Sequence, residues 1–500
     1  MKKPIVELDG NSLTISDMIA IVRDKKPINI SKEAIKRINK ASEIVQEILK
    51  EKRRVYGVTT GFGYLQNTPV STQDAQKLQN NLVISHAAGV GPEFSREVVR
   101  GIMLLQLNKF ARGHSGIRFK VVSLLLDLLN KDIIPVVPSQ GSLGASGDLA
   151  PLAHLSLVLI GRGLAYQGET RISGLQALQK SGLSPVELIA KEGLALLNGT
   201  QAMTSIAAIA VADAKNLIKI ANIATSLSME VHRANIDALD PRIHQARPHE
   251  GQIDTAKVIL EYLKGSKIIR KDIAFQDSYS IRCAPVVHGA TLDTIRYVER
   301  VVETEMNSST DNPLIFSSEK ILSGGNFHGQ PIALVMDFLG IAVAELGNIS
   351  ERRIERLLNP TLSGLPAFLS LEGGLHSGFM IAQYTAASLV SENKQLAFPS
   401  SVDSIPVSAN QEDHVSMGTI SAIHTRRIIE HVHYILAIEL LCVLQAIDIA
   451  EIQDQLAPTT LAVYQKIREV IPMLDKDREL SPDINTCVEI IRNGQLDTVI

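Results

Sequence analysis

Three long apolar segments restrict most strongly what this chain of 500 residues can fold into. They span residues 201–231, 333–358 and 416–450, are rich in alanine, isoleucine and leucine, and contain almost no proline or glycine. Each is long enough for more than about five helical turns. The segment 201–231 is apolar on more than one face, so more than one face must be buried. The sequence predicts a mainly α-helical fold with a bundle of long helices; a monomeric core or an oligomer can bury these faces, and we favour an oligomer.

Shorter patterns mark other elements. The stretch IVELDG near the start alternates apolar and polar residues, which favours a short strand. The stretch SPVE at 184–187 has the pattern of a helix capping box, so we expect a helix from there to Leu197, ending at Asn198. The stretch SPD at 481–483 predicts another helix start.

Charge and cysteine content argue against several classes of protein. The net charge is -3, from 50 basic and 53 acidic residues, with no basic stripe, so we expect no nucleic-acid partner. Three cysteines, far apart and odd in number, indicate a reducing compartment. The N-terminus has no apolar signal stretch, and Glu439, Gln445 and Asp448 interrupt the apolar run 434–450, which favours a buried helix over a membrane span. We therefore expect a cytoplasmic protein that does not bind a membrane.

The stretch GSLGASGDLA at 141–150 has glycines at every third position. It lacks the Lys-Ser/Thr of a phosphate-binding loop, so a plain turn and a self-modifying peptide both stay open. Because Gly147 has no side chain, its nitrogen can approach the carbonyl carbon of Ala145. Cyclisation with loss of water, and a second loss of water from Ser146, would leave a five-membered ring with an exocyclic methylidene. That ring is an electrophile, which a chain must otherwise obtain from a cofactor.

Extended to GSLGASGDLAPLAH (141–154), this loop resembles the signature of the ammonia-lyases that carry a 4-methylidene-imidazol-5-one (MIO) group, which the resemblance implies would form from Ala145, Ser146 and Gly147. Nine further blocks resemble the same family in matching order and cover nearly the whole chain. They are VYGVTTGFG (55–63), SHAAGVG (85–91), LLNGTQAM (196–203), RPHEGQ (247–252), QDSYSIRC (276–283), TDNPL (310–314), GGNFHGQP (324–331), ISERRIERLLNP (349–360) and SANQEDHVSMG (408–418).

The resemblance implies a reaction and its catalytic groups. The family eliminates ammonia from an aromatic α-amino acid, which requires an electrophile for the amine and a base for the weakly acidic β C–H. The MIO group made from Ala145, Ser146 and Gly147 would be the electrophile. Tyr56 matches the family's catalytic tyrosine and would be the base, helped by nearby positive charge or helix N-termini, and Tyr279 is expected near the MIO group.

We expect neither a metal nor a dissociable cofactor. His424, His431 and His433 do not resemble a metal-binding triad completed by a carboxylate. The electrophile implied by the resemblance comes from the chain itself.

The resemblance also assigns residues that bind the substrate. Arg282 matches the arginine that holds the substrate carboxylate, a role that suits a guanidinium fork. Asn198 would cap a helix end and also hydrogen-bond the MIO oxygen or the substrate. Gln276 lines the family site, Phe327 matches a pocket wall, and Asn312 would support the carboxylate site.

Ser85-His86 and Glu412 indicate which amino acid is used. Relatives acting on phenylalanine or tyrosine resemble Phe-Leu or His-Leu at the first position, those acting on histidine resemble Ser-His, and phenylalanine-type relatives lack the Glu412 carboxylate. A buried imidazole needs partners for two nitrogens, and leaving one unpaired costs roughly 1–3 kcal/mol. Glu412 can accept from one nitrogen while His86 serves the other. We therefore expect L-histidine as the substrate and trans-urocanate and ammonia as products, the first step of histidine degradation.

The resemblance implies an ammonia-lyase/fumarase-like architecture. We expect an N-terminal domain over 1–200 that carries the MIO loop, and a long-helix bundle with a C-terminal helical cap over 201–500 that forms the oligomer. We expect a homotetramer; in the family each active site draws residues from three chains, so Tyr56, Arg282 and the MIO group would come from different subunits. Two rivals stay open: a tyrosine or phenylalanine lyase or aminomutase of the same family, and an inactive helical scaffold.

Overall fold

A computed structural model describes residues 5–60, 63–65, 72–272 and 274–499, and it is mainly helical. Up to the first long helix, the elements are β1 (Val6–Leu8), α1 (Ile15–Val22), β2 (Ile28–Ile30), α2 (Lys32–Lys50), α3 (Thr72–His86), β3 (Val90–Glu93), α4 (Arg96–Ala111), α5 (Phe119–Asn130), β4 (Ile133–Pro135), β5 (Pro138–Gln140), α6 (Leu149–Leu159), β6 (Leu164–Gln167), β7 (Thr170–Ser173), α7 (Gly174–Lys180), α8 (Glu192–Leu197) and α9 (Gln201–Val231). The later elements are α10 (Pro241–Gln245), α11 (Glu250–Tyr262), α12 (Tyr279–Arg282), α13 (Ala284–Met306), β8 (Leu314–Ile315), β9 (Ile321–Leu322), α14 (Gln330–Leu358), α15 (Pro360–Ser363), α16 (Met380–Leu396), α17 (Gly418–Ala450), α18 (Pro458–Arg468) and α19 (Leu480–Arg492).

The three long apolar segments each form a single helix, namely α9, α14 and α17, so this prediction is confirmed. By length and composition, α14 and α17 could each cross a membrane. Their most apolar windows are 67% and 83% buried within the chain, as in the core helices of a globular protein.

The helix predicted from 184 to 197 is wrong over its first half. Residues 184–190 are not helical, and α8 begins only at Glu192, after Lys191 with a φ of 65°. The backbone of this stretch is hydrogen-bonded elsewhere, since Val186 N donates to Leu159 O at 2.9 Å and the Glu187 carbonyl accepts from Arg118. These long-range bonds compete with the local capping pattern.

The described strands form small sheets. β1 and β2 pair in parallel, so the strand predicted from IVELDG is confirmed, whereas β3–β5, β4–β6–β7 and β8–β9 are antiparallel. In the β3–β5 pair, Val90 lies opposite Gln140. This pairing holds the segment after α3 beside the start of the stretch 141–147, which we call the Ala-Ser-Gly loop.

The chain divides into two compact units, each assembled from three segments. Unit 1 comprises Met1–Ala212, Glu299–Asp337 and Pro399–Ile423, and unit 2 comprises Asp213–Val298, Phe338–Phe398 and His424–Ile500. Unit 1 therefore contains the Ala-Ser-Gly loop and the first turns of α9, α14 and α17. The contiguous division between 200 and 201 stays a prediction.

Unit 2 contains the later turns of the long helices. A buried ion pair joins two of them, α14 and α17. Arg353 of α14 donates to both oxygens of Glu439 of α17 at 2.5 and 2.8 Å, and both side chains are fully buried. Ser228 of α9 and Ser350 donate to the same carboxylate. Because these donors satisfy its oxygens, the carboxylate is tolerated in an apolar core.

Candidate active site

The Ala-Ser-Gly loop is bent tightly against a second loop. Gly144 and Gly147 both have a φ of 76°, a conformation that favours glycine, and the two residues form a β-bridge with each other. Gly147 also bridges to Gly199, and a Cβ atom added at Gly147 would lie 2.1 Å from the Gly199 carbonyl oxygen. The backbone at Gly147 therefore has no room for a side chain.

Asp148, directly after this loop, ties it to the start of two long helices. The buried carboxylate accepts hydrogen bonds from the backbone N–H groups of Ala202 and Met203, both at 2.9 Å, and from the hydroxyls of Ser142 and Thr419. Burial raises the pKa of Asp148, and these four hydrogen bonds act in the opposite direction. The sequence carried no signal for Asp148, because three of its four partners lie 54 or more positions away.

The first turns of α9, α14 and α17 meet beside the loop. A Cβ atom at Gly329, just before α14, would lie 2.4 Å from the sulfur of Met203, and one at Gly418 would lie 2.7 Å from the same atom. A Cβ atom at Gly144 would lie 2.1 Å from the hydroxyl oxygen of Ser416. Helix N-termini carry partial positive charge, so their convergence favours an anionic group at this place.

One cavity of about 1210 Å³ opens onto the loop, and all of its lining residues belong to unit 1. The predicted site residues among the lining are Tyr56, Ser85, His86, Ala145, Ser146, Asn198, Asn312, Phe327 and Glu412. The structure thus brings together residues that are up to 356 positions apart in the chain, as between Tyr56 and Glu412. Tyr56 and the Ala-Ser-Gly loop line the same cavity within one chain, contrary to the expectation that they come from different subunits.

Glu412 and His86 lie on the cavity wall next to the loop. The Glu412 carboxylate accepts a hydrogen bond from the Ser146 hydroxyl at 2.9 Å, and Val407 and Glu412 pair through their backbones, which fixes the turn that carries Glu412. Burial lowers the pKa of His86, while the nearby Glu412 charge acts to raise it. His86 is therefore held as a neutral imidazole at pH 7, with one nitrogen able to donate and one able to accept. Its Nδ1 lies 3.1 Å from the Ser85 hydroxyl.

Tyr56 lies between α2 and the short turn Gly63–Leu65. Its phenol oxygen accepts a hydrogen bond from the backbone N–H of Gly63 at 3.2 Å. This hydrogen bond fixes the position of the phenol oxygen on the cavity wall.

Asn198 and Asn312 both line the cavity and are joined by a hydrogen bond. The side-chain amide of Asn198 donates to the Asn312 carbonyl at 2.9 Å, and the Asn312 side-chain oxygen accepts from the backbone N–H of Gly324 at 3.0 Å. Asn198 also caps the end of α8, as predicted, because its N–H donates to the Leu194 carbonyl. Both asparagines are buried, so their positions are fixed by these bonds.

Gln276, Tyr279 and Arg282 belong to unit 2 and are not among the cavity's lining residues. Tyr279 and Arg282 lie on the short helix α12, where the guanidinium stacks 4.8 Å from the Tyr279 ring centroid. The Arg282 Nε donates to the Asp277 carbonyl at 2.9 Å. Tyr279 is 72% exposed and Gln276 is also exposed, so the structure presents these side chains at the surface of unit 2.

Two histidines on the cavity wall were missed by sequence reasoning. The rings of His328 and His414 stack with centroids 5.5 Å apart and planes 7° apart. Both stand inside quoted blocks, next to Phe327 and two residues after Glu412, and this proximity was the available signal. Within the described ranges, no three His, Cys, Asp or Glu side chains gather as a metal ion would require.

The sequence matches known proteins along almost its whole length. Residues 13–469 match the family described as aromatic amino acid lyase. The histidine ammonia-lyase of Caldanaerobacter subterraneus subsp. tengcongensis is 50% identical over 503 residues, covering 100% of this chain and 98% of the relative.

Solved structures share the fold. The histidine ammonia-lyase from Trypanosoma cruzi has a TM-score of 0.93 at 42% identity, covering 99% of this chain and 95% of that chain. The tyrosine aminomutase from Streptomyces globisporus has a TM-score of 0.95 at 38% identity, covering 99% and 98%. The predicted mainly α architecture of the ammonia-lyases is confirmed. With the match over 13–469 and these full-length relatives, the chain belongs to the aromatic amino acid lyase family.

Proposed function

We propose that this chain is a histidine ammonia-lyase, which converts L-histidine to trans-urocanate and ammonia. The observation that carries the proposal is the single cavity onto which the Ala-Ser-Gly loop, Tyr56, His86, Asn198 and Glu412 all open. The relative from Caldanaerobacter and the solved enzyme from Trypanosoma cruzi that bear this name support it.

The residues around the Ala-Ser-Gly loop fit an internal MIO group. The loop is bent at two glycines with positive φ, and Gly147 lies against the Gly199 carbonyl where a Cβ atom has no room. Cyclisation of Ala145-Ser146-Gly147 with loss of two waters would use this bend. Once formed, the group supplies the electrophile that the substrate amine requires.

The side chains of this chain would perform the other tasks. Tyr56 accepts the β-proton of the substrate at its phenol oxygen, which the Gly63 N–H holds in place by a hydrogen bond. Glu412 accepts from one imidazole nitrogen of the substrate, and neutral His86 hydrogen-bonds the other. A phenyl ring offers neither contact and would leave Glu412 unpaired, which disfavours phenylalanine.

The remaining predicted residues would hold the rest of the substrate. Arg282 binds the carboxylate as a guanidinium fork, and Asn312 supports that contact. Tyr279 and Gln276 lie near Arg282 in the sequence and would contact the substrate together with it. Asn198 would orient the amino-acid end of the substrate, and Phe327 would form part of the cavity wall.

We further propose a cytoplasmic homotetramer with active sites shared between subunits. Large apolar side chains are exposed in the middle segment of unit 2, which favours burial against further subunits. Those more than half exposed include Leu371, Leu375, Ile381, Tyr384 and Phe398.

Side-by-side turnover of L-histidine, L-tyrosine and L-phenylalanine tests the substrate. We expect only histidine to be consumed at an appreciable rate, with urocanate followed by its absorbance. A comparable rate on tyrosine or phenylalanine, or formation of a β-amino acid, would instead support the rival lyase or aminomutase. No turnover of any of the three would support the inactive scaffold.

A further inference from the structure

Lys109 carries a buried amine that neither the reaction nor the cavity lining accounts for. It lies on α4 and is 1% exposed. Burial of an amine in an apolar core is unfavourable unless its N–H groups are hydrogen-bonded. The Nζ of Lys109 donates to the carbonyls of Ala195 and Asn198, at 2.8 and 2.9 Å.

These two carbonyls belong to the end of α8, immediately before the loop that contacts Gly147. The last carbonyls of a helix have no partners within the helix, and a lysine near this end satisfies them and the helix dipole. Lys109 therefore fixes the end of α8 through these two hydrogen bonds. Gln106, one turn earlier on α4, donates to the Leu196 carbonyl at 2.7 Å and strengthens the same connection.

The contact at Asn198 sets the orientation of the next N–H group. The carbonyl of Asn198 and the N–H of Gly199 belong to one planar trans peptide and point in opposite directions. With the carbonyl held by Lys109, the Gly199 N–H points to the Ser146 carbonyl, to which it donates at 3.4 Å. The Gly199 carbonyl accepts from the Asp148 N–H at 2.8 Å. Gly199 thus contacts the Ala-Ser-Gly loop on both sides of Gly147.

A second buried lysine fixes the other end of α8. Lys191, just before this helix, contacts Asp311 at 3.2 Å, and both side chains are fully buried. Burial lowers the pKa of Lys109 to about 7, with the Asp311 charge acting against this and the Lys191 charge adding to it. A neutral amine still has two N–H groups, so both carbonyl bonds persist in either protonation state.

We propose that Lys109 is a positioning residue for formation of the MIO group: by holding the Asn198–Gly199 peptide, it presses the Ala-Ser-Gly loop into the bend from which Gly147 attacks Ala145. This inference rests on the proposed function, since it presupposes cyclisation. In the step itself, the Gly147 nitrogen bonds to the Ala145 carbonyl carbon, and the carbonyl oxygen leaves as water with the N–H protons of Gly147 and Ser146 as a C=N bond forms between Ala145 and Ser146. The second water takes the Ser146 hydroxyl and the Ser146 Cα proton, which leaves the methylidene. Lys109 touches none of these atoms and acts through Asn198 and Gly199.

Lys109→Met tests the proposal, because methionine fills similar space but donates no hydrogen bond. We expect the newly synthesised variant to lose its two waters about tenfold or more slowly than the wild type, measured by intact mass at intervals after cell-free synthesis of each chain. Lys109→Gln retains N–H donors and should restore much of the rate. Wild-type chains that never lose water would overturn the proposed function instead, so the two failures are distinguishable.

Arg100→Met is the matched control. Arg100 is also a buried cation on α4, but it donates to the carbonyls of Ile21 and Leu129 and not to α8. This variant should have a lowered melting temperature and yet lose both waters at the wild-type rate. Loss of both waters from Lys109→Met at the wild-type rate would overturn the proposal. So would failure of both Lys109 variants to fold while Arg100→Met folds, because that result assigns Lys109 to general stability.

Discussion

Gly147 shows how a single residue position restricts the chemistry. Its φ of 76° and the 2.1 Å distance between an added Cβ atom and the Gly199 carbonyl oxygen exclude any side chain. The sequence predicted the need for a small residue from the quoted stretch alone. It could not predict Gly199 as the contacting residue, because 52 positions separate the two.

Gly147→Ala should therefore prevent the loop from closing. We expect the variant to keep the mass of the translated chain and to have no lyase activity. Gly168→Ala is the control, since Gly168 also has a positive φ of 59° but nothing lies within 4 Å of an added Cβ atom. Loss of two waters in Gly147→Ala would show that the close contact is not required.

His86 and Glu412 are the residues that should decide the substrate. We expect His86→Leu and Glu412→Gln each to lower kcat/KM for histidine by roughly 5- to 150-fold, the equivalent of one unpaired imidazole nitrogen at about 1–3 kcal/mol. Asp413→Asn removes a negative charge from the same cavity wall and should have a much smaller effect. Unchanged kinetics in both pocket variants would refute the assignment.

Contacts between distant residues were beyond sequence reasoning. The Ser146–Glu412 hydrogen bond and the His328–His414 stack join residues far apart in the chain. The periodic pattern of apolar residues in a sequence contains no information about such contacts. The quoted blocks predicted which residues belong to the site, while the structure supplies which atoms meet.

Among the elements, the long helices were predictable because their signal is local and repeated. Runs of alanine, isoleucine and leucine without breakers give α9, α14 and α17 nearly the predicted bounds. The capping pattern at 184–187 failed, since the backbone there bonds to Leu159 and Arg118 instead. A local pattern of four residues is overridden by tertiary hydrogen bonds more easily than one of thirty.

His232, directly after α9, should make unit 2 sensitive to acid. Burial, with a further contribution from the Arg356 charge, lowers its pKa to about 4, so the unfolded chain binds the proton more tightly. The stabilisation is fully present above pH 6.5, the ordinary value, and is lost as the pH falls towards 4. The free energy of unfolding that is lost over this pH range amounts to about 3 kcal/mol.

Denaturant unfolding monitored between pH 7 and pH 4 checks this. We expect His232→Gln to lose less stability than the wild type over this range. His249→Gln, at an exposed position, should follow the wild-type curve. Equal pH dependence in His232→Gln and the wild type would contradict the role of this buried imidazole.

At the scale of the whole molecule, the proposal requires residues from more than one chain. Tyr56 belongs to unit 1 and Arg282 to unit 2, and α12 presents Tyr279 at 72% exposure. The sequence favoured an oligomer because long helices with several apolar faces must bury those faces, and contact with other subunits can do so. The number of subunits came from the family resemblance and not from the residues themselves.

Mixing two inactive variants tests this sharing. The Tyr56→Phe and Arg282→Lys variants should each be nearly inactive. Co-refolded in equal amounts, they should regain about a quarter of wild-type activity, because random assembly gives that share of sites both wild-type residues from different chains. An absence of recovery despite demonstrated mixing, or a fully active monomer on dilution, would contradict shared sites.

The central claim is that the chain makes its own electrophile from Ala145-Ser146-Gly147. The most direct measurement is the intact mass of the purified protein, with the modified peptide located by fragmentation. The account predicts a wild-type mass lower than the translated chain by two waters, with the loss confined to residues 145–147, and no such loss in Ser146→Ala. A wild-type chain with its full translated mass would contradict the claim.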